Sequence, residues 1–246
     1  MYDVNVVTTG AGAISCRDMI ESHQCHLTSD GGDILVTGVK TQNLVIKSET
    51  GDIRCRGAIQ GRVTITSRDG DVTSDKRYLG PSLDIATVTG DISISSCYSD
   101  ESKISTRTGN LDLRNVHNAS FVAVHEEAEV KMTGLDGTAN VFMKKGNLDV
   151  QVSQVRSESR IHVEEGDISL KMADSHPLKL CVTGTVVETD DKFSKYGDIE
   201  TKEDDQHYLG KIQPDLFSPL CKVLAVSGKV SISAQGWAQS LGLKLK

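Results

Sequence analysis

An acidic or amide residue recurs along the chain every 18–20 residues, each time directly after a glycine or its equivalent. The members are Asp33, Asp52, Asp71, Asp91, Asn110, Glu129, Asn147 and Asp167. If the repeats stack, these side chains form one column of oxygen atoms, which is the chemistry that divalent cations prefer. The alternative is turn chemistry, in which each side chain accepts a backbone N–H within its own turn. The amides lower the charge of the column, so we favour the turn.

A second candidate for metal binding lies around two histidines. His117 and His125 are eight residues apart, close to Glu126, Glu127 and Glu129. Imidazole and carboxylate groups can share a transition metal. The repeat at this point has also lost its glycine, which favours a degenerate surface turn. We therefore predict no metal site here.

The cysteines do not follow a metal-binding or redox pattern. The six are Cys16, Cys25, Cys55, Cys97, Cys181 and Cys221. None forms a CxxC motif and none has zinc-ligand spacing with histidine. Four of them fall where other repeats carry aliphatic residues, so we expect buried, free thiols. Free thiols favour an intracellular, reducing compartment.

The carboxylates also give no enzymatic signature. Glycoside hydrolysis needs two carboxyl groups flanking one bond, and a β-helix that cleaves polysaccharide would pair clustered aspartates with a column of arginine or lysine. The sequence isolates no such pair and carries no arginine column. We therefore predict no catalytic residues, no cofactor and no enzyme. A carbohydrate-binding or carbohydrate-processing β-helix remains the alternative.

The strongest pattern in the chain is an internal repeat with the form S/T-x-x-G-[DN]-[ILV], as in SETGDIRC and TVTGDISI. Its anchor positions are Gly12, Gly32, Gly51, Gly70, Gly90, Gly109, Ala128, Gly146, Gly166, Gly184 and Gly228. A branched aliphatic residue follows each anchor by two positions, at Ile14, Ile34, Ile53, Val72, Ile92, Leu111, Val130, Leu148, Ile168, Val186 and Val230. A fixed period of this kind is typical of solenoids.

A second apolar column lies five residues before the anchor. It contains Val7, Leu27, Ile46, Ile65, Ile85, Ile104, Ala123, Val141, Ile161 and Val223, and a slip of one residue adds Leu180 in the Gly184 repeat. Polar and apolar residues alternate around both columns and Gly-Asx pairs interrupt them, which predicts strand–turn–strand units.

We therefore predict an all-β, single-stranded parallel β-helix. It would have about eleven coils of 18–20 residues, with right-handed crossovers. One repeat cannot bury its apolar face alone, so stacking is what stabilises it. A leucine-rich repeat would show LxxLxL with asparagine, which is absent. A β-sandwich is the alternative all-β fold, although it would not require one fixed period.

The period fails between residues 187 and 222. We predict one solenoid domain over 1–246, with an insertion or irregular coil at 187–222 and a capping strand at 229–246. Insertions in solenoids often bind partners. The candidate interaction residues in this insertion are Phe193, Tyr196, Glu203, Asp204, Asp205, His207, Tyr208 and Phe217.

Charge and hydropathy exclude several partners. The net charge is −7, whereas nucleic-acid binding needs clustered lysine and arginine. No apolar run approaches the length of a membrane span. We predict a protein partner, no nucleic acid and no membrane span. An uncovered solenoid end also favours self-association through the ends.

The repeat resembles that of the adhesin-like β-helix family of unknown function, which is common in bacterial proteins. The resemblance covers nearly the whole chain and is specific for the fold. The C-terminal stretch from GKIQPDLFSPLC onward is similar to a vertebrate member without assigned activity. This implies an intracellular protein, mitochondrial by resemblance only. We predict a non-enzymatic structural or protein-interaction scaffold.

Overall fold

The computed structural model describes residues 2–173, 175–202, 205–213 and 215–234. The chain forms two compact units, Met1–Arg114 and Asn115–Lys246. Both are built from strands joined by tight corners, and parallel pairing dominates each. The described residues contain one other regular element, a short 3-10 turn at Phe193–Lys195.

The described part of the first unit contains eight strands. They are β1 (Val4–Thr8), β2 (Ile14–Ser29), β3 (Ile34–Thr50), β4 (Ile53–Cys55), β5 (Ile59–Asp69), β6 (Val72–Thr89), β7 (Ile92–Thr108) and β8 (Leu111–Arg114).

The second unit contains the other described strands. They are β9 (Val116–Glu127), β10 (Val130–Lys145), β11 (Leu148–Val155), β12 (Ser159–Glu165), β13 (Ile168–Met172), β14 (Leu178–Gly184), β15 (Val186–Thr189), β16 (Gly197–Lys202), β17 (Asp205–Ile212), β18 (Leu220–Ser227) and β19 (Lys229–Ala234).

Parallel pairing in the first unit stacks equivalent residues of successive repeats. Ile34 lies beside Ile53, which lies beside Val72 in the next coil. The second apolar column stacks in the same way, with Leu27 beside Ile46. All five side chains are buried. Each contributes roughly 1.5–3 kcal/mol through burial of its apolar surface, so the two ladders form the core.

The predicted fold class is confirmed. The strands of both units form parallel β-solenoid coils, with about nine turns in total, fewer than the eleven predicted from the anchors. Anchors at the ends of the array overestimate the count because they mark partial coils. The repeat that ends at Gly12, for example, contributes only β1.

The second apolar column slips by one residue at the first repeat, whereas Ile14 of the first column pairs with Ile34 as predicted. Val6, not Val7, pairs with Leu27, and Val7 pairs with Thr28. The side chain of Val7 is consequently 61% exposed. The first coil has no coil beneath it within the described residues, so burial does not enforce the pattern there.

The same slip occurs in the Gly184 repeat. Val187, not Val186, pairs with Val230, and Val187 is 3% exposed whereas Val186 is 41% exposed. In the other column Val182 pairs with Val223, so Val182 and not Leu180 occupies the predicted position. This repeat forms an outer coil of its unit.

The coils of the second unit do not stack in the order of the sequence. Strand β18 pairs in parallel with β12 on one side and with β14 on the other. Strand β19 lies in the same way between β13 and β15. The last described repeat therefore sits between two repeats that precede it in the chain.

An antiparallel hairpin covers the outer edge of this arrangement. Strand β17 pairs antiparallel with β14, and β16 pairs antiparallel with β17. The change of direction ends the parallel stack, because the hairpin does not continue the coil. The segment outside the coils is thus 190–219, within the predicted insertion, and its hairpin acts as a cap.

The expected capping strand at 229–246 is described only as far as residue 234. Strand β19 pairs on both of its edges, so residues 229–234 belong to the interior of the stack and do not cap it. The rest of that expected strand lies outside the described residues.

Glycine at several anchor positions is required by the close approach of successive corners. Gly90 has φ +138°, and a Cβ placed on it would overlap the carbonyl oxygen of Gly70. A Cβ on Gly109 would meet the carbonyl oxygen of Gly90 in the same way. The anchor column therefore reflects both conformation and stacking distance.

Substitution of Gly90 by alanine tests this dual requirement. We expect Gly90→Ala to lower the free energy of unfolding by about 2–4 kcal/mol, because a strained φ and a backbone overlap combine. Gly10→Ala is the matched control, since Gly10 has φ +65° and no atom within 4 Å of the added Cβ. That control should cost about 1 kcal/mol. Urea unfolding measures both, and equal losses would contradict a stacking role.

Candidate functional site

The acidic column forms a ladder of hydrogen bonds between coils. Asp33 Oδ1 accepts the backbone N–H of Asp52 at 3.0 Å, and Asp52 Oδ1 accepts that of Asp71 at 3.0 Å. The ladder continues to Asp91 at 2.8 Å and Asn110 at 2.7 Å. Each side chain therefore bonds to the following coil, whereas we expected a bond within its own turn.

The second unit contains the same ladder across its unusual stacking order. Asn147 Oδ1 accepts the N–H of Asp167 at 3.0 Å, and Asp167 Oδ1 accepts that of Lys229 at 2.8 Å. Asp167 and Lys229 are 62 residues apart in sequence. The ladder thus joins coils that are neighbours in space and not in sequence. It bonds the last described repeat to the coil that contains Asp167.

This ladder engages oxygen atoms that a cation would need. The N–H of Asp71 lowers the pKa of Asp52 below its usual value, and Arg54 adds to the effect. In the described ranges, no three histidine, cysteine, aspartate or glutamate side chains come together as a metal site would require. These hydrogen bonds indicate that the column fixes the register of each coil against the next.

Two of the serines that lie three residues before an anchor glycine close their own turns. Ser29 Oγ accepts the N–H of Gly32 at 3.0 Å and donates to its carbonyl oxygen at 2.8 Å. Ser48 donates to the carbonyl oxygen of Gly51 at 3.2 Å. The hydroxyl of Ser29 also donates to the carbonyl oxygen of Gly12 in the neighbouring coil at 3.1 Å, so this position contributes contacts within the turn and between coils.

All six cysteines are free. Cys25, Cys55 and Cys221 are buried in the core columns, as the repeat predicted, whereas Cys16 is half-buried because its coil is the first. Burial raises the pKa of Cys55 and of Cys221 to about 12. These thiols stay protonated at neutral pH, so they are poor nucleophiles.

The two histidines of the predicted patch have different surroundings. His125 is buried in β9, and it pairs with Met143 of β10. His117 is half-buried, and its Nδ1 is 3.3 Å from Asp136 Oδ2. Arg156 also donates two hydrogen bonds to Asp136, at 2.7 and 2.9 Å. The result is an interaction between neighbouring coils.

Two of the predicted interaction residues belong to the interior of the capping segment. Phe193 and Tyr208 are both fully buried, and Tyr208 Oη donates to the carbonyl oxygen of Phe193 at 2.9 Å. Desolvation raises the pKa of Tyr208 to about 12, with Asp190 adding to it. Neither ring is available to a partner, because together they fix the 3-10 turn against the hairpin.

Asp190 anchors this turn to the last repeat. Its Oδ1 accepts the N–H of Phe193 at 2.9 Å, and its Oδ2 accepts the N–H of Ala234 at 2.7 Å. Tyr196 is half-buried and packs edge-on against Phe193, with ring centroids 5.9 Å apart. The cap is thus bonded to strand β19.

Two of the polar candidates, Asp205 and His207, lie on strand β17. His207 is half-buried and its Nδ1 is 3.0 Å from Thr183 Oγ1. Asp205 is half-buried at the start of the strand, opposite Lys202. Glu203 and Asp204 lie outside the described residues. Among the described candidates, Phe193, Tyr196 and Tyr208 are in contact within the cap, whereas Asp205 and His207 lie on the edge strand β17.

Phe217 differs from the other aromatic candidates because it is exposed. Phe217 is 90% exposed and its neighbour Leu216 is 92% exposed. Asp215 Oδ1 accepts hydrogen bonds from the Phe217 N–H at 2.9 Å and from the Ser218 hydroxyl at 2.8 Å. The Asp215 N–H donates to Ser218 Oγ at 2.7 Å. We call residues 215–218 the tip.

A second polar corner in the first unit was not recognised from the sequence. Its members are Ser22, Thr41, Gly61, Gly80 and Ser99, which recur every 19–20 residues. Ser22 donates to Thr41 Oγ1 at 3.3 Å, and a Cβ on Gly61 would overlap the carbonyl oxygen of Thr41. The same period would have found this column nine or ten residues after the anchor.

Asp71 provides the direct test of the ladder. We expect Asp71→Ala to lower the free energy of unfolding by about 0.5–1.5 kcal/mol, because the N–H of Asp91 loses its acceptor. Asp71→Asn retains the oxygen and should cost clearly less. A chelator should leave the melting temperature of the unmodified protein unchanged. Equal losses in both variants, with a melting temperature that falls on chelation, would indicate a bound cation instead.

No apolar helix of bilayer-spanning length occurs in the part of the chain that the structure describes. No solved structure matches the chain significantly. The model of the Toastrack DUF4097 family matches residues 2–80 and 61–233, which together cover the repeats and the cap. This agrees with the expected β-helix family of unknown function. The chain belongs to the Toastrack DUF4097 family.

Proposed function

We propose that this β-solenoid is a non-enzymatic protein-interaction scaffold and that the tip at residues 215–218 is its contact element. The supporting observation is the exposure of two adjacent large apolar side chains, 92% for Leu216 and 90% for Phe217. Scattered apolar residues on a surface are ordinary, but two contiguous side chains at a loop end form a local apolar patch.

The order of the tip supports a binding role. Asp215 and Ser218 bond to each other and to the backbone of the turn, and Ser218 is buried. Leu216 and Phe217 lie between these two residues, so the turn holds both side chains in solvent. A preformed element loses less conformational entropy on binding than a disordered one.

The partner that fits is a protein with an apolar pocket. Burial of a leucine or phenylalanine side chain contributes roughly 1.5–3 kcal/mol, and a few such anchors carry most of the affinity at many interfaces. The tip offers no cluster of charged groups for a nucleic acid or a metal. The solenoid beneath it contributes a stable base through its ladders.

The compartment is part of the proposal. Six free thiols, three of them buried in core columns, favour a reducing, intracellular environment, and the vertebrate resemblance points to mitochondria. Fractionation of cells with an antibody against the protein measures this directly. Recovery mainly from the secreted or surface fraction would contradict it.

A double substitution at the tip tests the interaction. We expect Leu216→Ser with Phe217→Ser to leave the melting temperature within about 2 °C, because both side chains are exposed. The same change should weaken binding of a purified partner at least tenfold, since both anchors are lost. Partners are first identified by cross-linking and mass spectrometry, and affinity is then measured by calorimetry.

Met19→Ser is the matched control, because Met19 is also a large exposed side chain, 60% exposed, but lies in the first unit. It should bind like the unmodified protein. Equal weakening in both variants would indicate non-specific adhesion. Unchanged affinity in the double variant would remove the tip from the interface. A glycan array in parallel separates this proposal from carbohydrate binding.

A further inference from the structure

Strands β18 and β19 fill a space between two pairs of strands that precede them in the chain. The chain builds β12 and β13, then β14 and β15, and only afterwards supplies the strands that lie between them. Neighbouring strands are about 4.8 Å apart, so β12 and β14 are separated by about 10 Å. Without residues 220–234 this gap is a groove with an unpaired strand on each side.

Strand β18 matches its two neighbours in apolar pattern and register. Val223 lies between Ile161 of β12 and Val182 of β14. Cys221, Val223 and Ala225 are all buried, so the inserted strand supplies alternate small apolar side chains to the core. Its backbone supplies hydrogen bonds to both neighbours, as in strand addition to a sheet edge.

The inserted segment is joined to the cap by a short connection. The chain leaves β17 at Ile212 and enters β18 at Leu220, and the tip lies between them. The hydrogen bonds of Asp215 and Ser218 close this connection into a turn. If the turn opens, residues 220–234 can reach beyond their own unit while the rest of the fold keeps its sequence of pairings.

We propose that residues 220–234 of one copy fill the groove of a second copy, giving a reciprocal strand-exchanged dimer. The occupant is identical to the native segment, so every strand pair of β18 and β19 is retained and only the connection changes conformation. Exchange of an identical element between protomers is a low-cost route to dimers. The closed turn at Asp215 favours the monomer, and high protein concentration favours the dimer.

The register provides a covalent reporter of this exchange. Lys222 of β18 pairs directly with Cys181 of β14. Lys222 is exposed and Cys181 is half-buried, and parallel neighbours lie within the Cα separation that a disulfide spans. Lys222→Cys therefore places a thiol opposite a native thiol. The new disulfide is intrachain in the monomer and interchain in the exchanged dimer.

The experiment refolds Lys222→Cys from denaturant at low and high protein concentration under reducing conditions. Monomer and dimer are separated by size-exclusion chromatography, oxidised mildly and denatured on a non-reducing gel. We expect the dimer fraction to grow with concentration and to remain covalently dimeric on the gel, while the monomer fraction remains monomeric. Absence of a dimer at high concentration, or a dimer that separates on the gel, would overturn the proposal.

Two further variants establish which thiols form the bond and whether both edges of β18 are engaged. Adding Cys181→Ser to Lys222→Cys should abolish the covalent dimer if the bond is the expected one. A second pair, Arg160→Cys with Lys222→Cys and Cys181→Ser, reports on the opposite edge of β18, where Arg160 pairs with Lys222. Both reporters must give interchain bonds in the dimer fraction, since contact through only one edge would contradict insertion.

The turn between β17 and β18 allows an independent test of whether its closure favours the monomer. Asp215→Ala removes the two hydrogen bonds that the Asp215 carboxylate accepts from the Phe217 N–H and the Ser218 hydroxyl. This loosens the turn and should raise the dimer fraction several-fold at a fixed concentration. Leu216→Ser with Phe217→Ser retains Asp215 and Ser218, so it should leave the dimer fraction nearly unchanged. The exchange and the tip interaction can therefore fail separately. An unchanged dimer fraction in Asp215→Ala would contradict the proposed role of the turn.

Discussion

Parallel backbone hydrogen bonding between successive coils is the constraint on which the rest of this structure depends. A single repeat has strands whose N–H and C=O groups point along the stack and an apolar face that it cannot bury alone. The neighbouring coil satisfies both needs. The close approach then requires glycine at the corner, as at Gly90, and the ladder through Asp71 and Asp91 follows the same spacing. In the second unit, the antiparallel hairpin of β16 and β17 covers the outer edge of β14.

The repeat was predictable because burial acts on the same two positions in every coil. Both columns contain branched aliphatic residues, and the structure stacks them as the period indicates. The prediction slipped at Val7 and at Val186, where the coil is the outer one. A side chain at such a position has one neighbour in the stack instead of two. The sequence pattern is therefore least regular in the outer coils, where burial of these side chains stabilises the fold least.

The order of stacking was not predictable from the period. A repeat fits above or below any other repeat, since all carry the same two columns and the same corner. The distance of 62 residues between Asp167 and Lys229 shows that the ladder selects spatial neighbours. Which repeat lies beside which depends on the connection through residues 190–219 and on contacts such as that of Asp190 with Ala234. These contacts belong to a segment outside the repeat.

For the candidate interaction residues too, the sequence identified the segment, whereas the surrounding structure decides which side chains are exposed. Composition identified an aromatic group in the irregular segment, but it could not distinguish rings that stabilise a cap from rings that face solvent. Phe193 and Tyr208 form the interior of the cap, whereas Phe217 lies on an ordered turn next to Leu216. The turn at Asp215 connects both conclusions, because it presents the tip and links the inserted repeat to its cap.

The central claim is that the last described repeat lies between two earlier ones. Proton–proton nuclear Overhauser effects between backbone atoms of neighbouring strands test it most directly, in isotope-labelled protein. Insertion of β18 predicts contacts of Val223 with both Ile161 and Val182, as the strand pairs require. Direct contacts between Ile161 and Val182, with none from either to Val223, would contradict it.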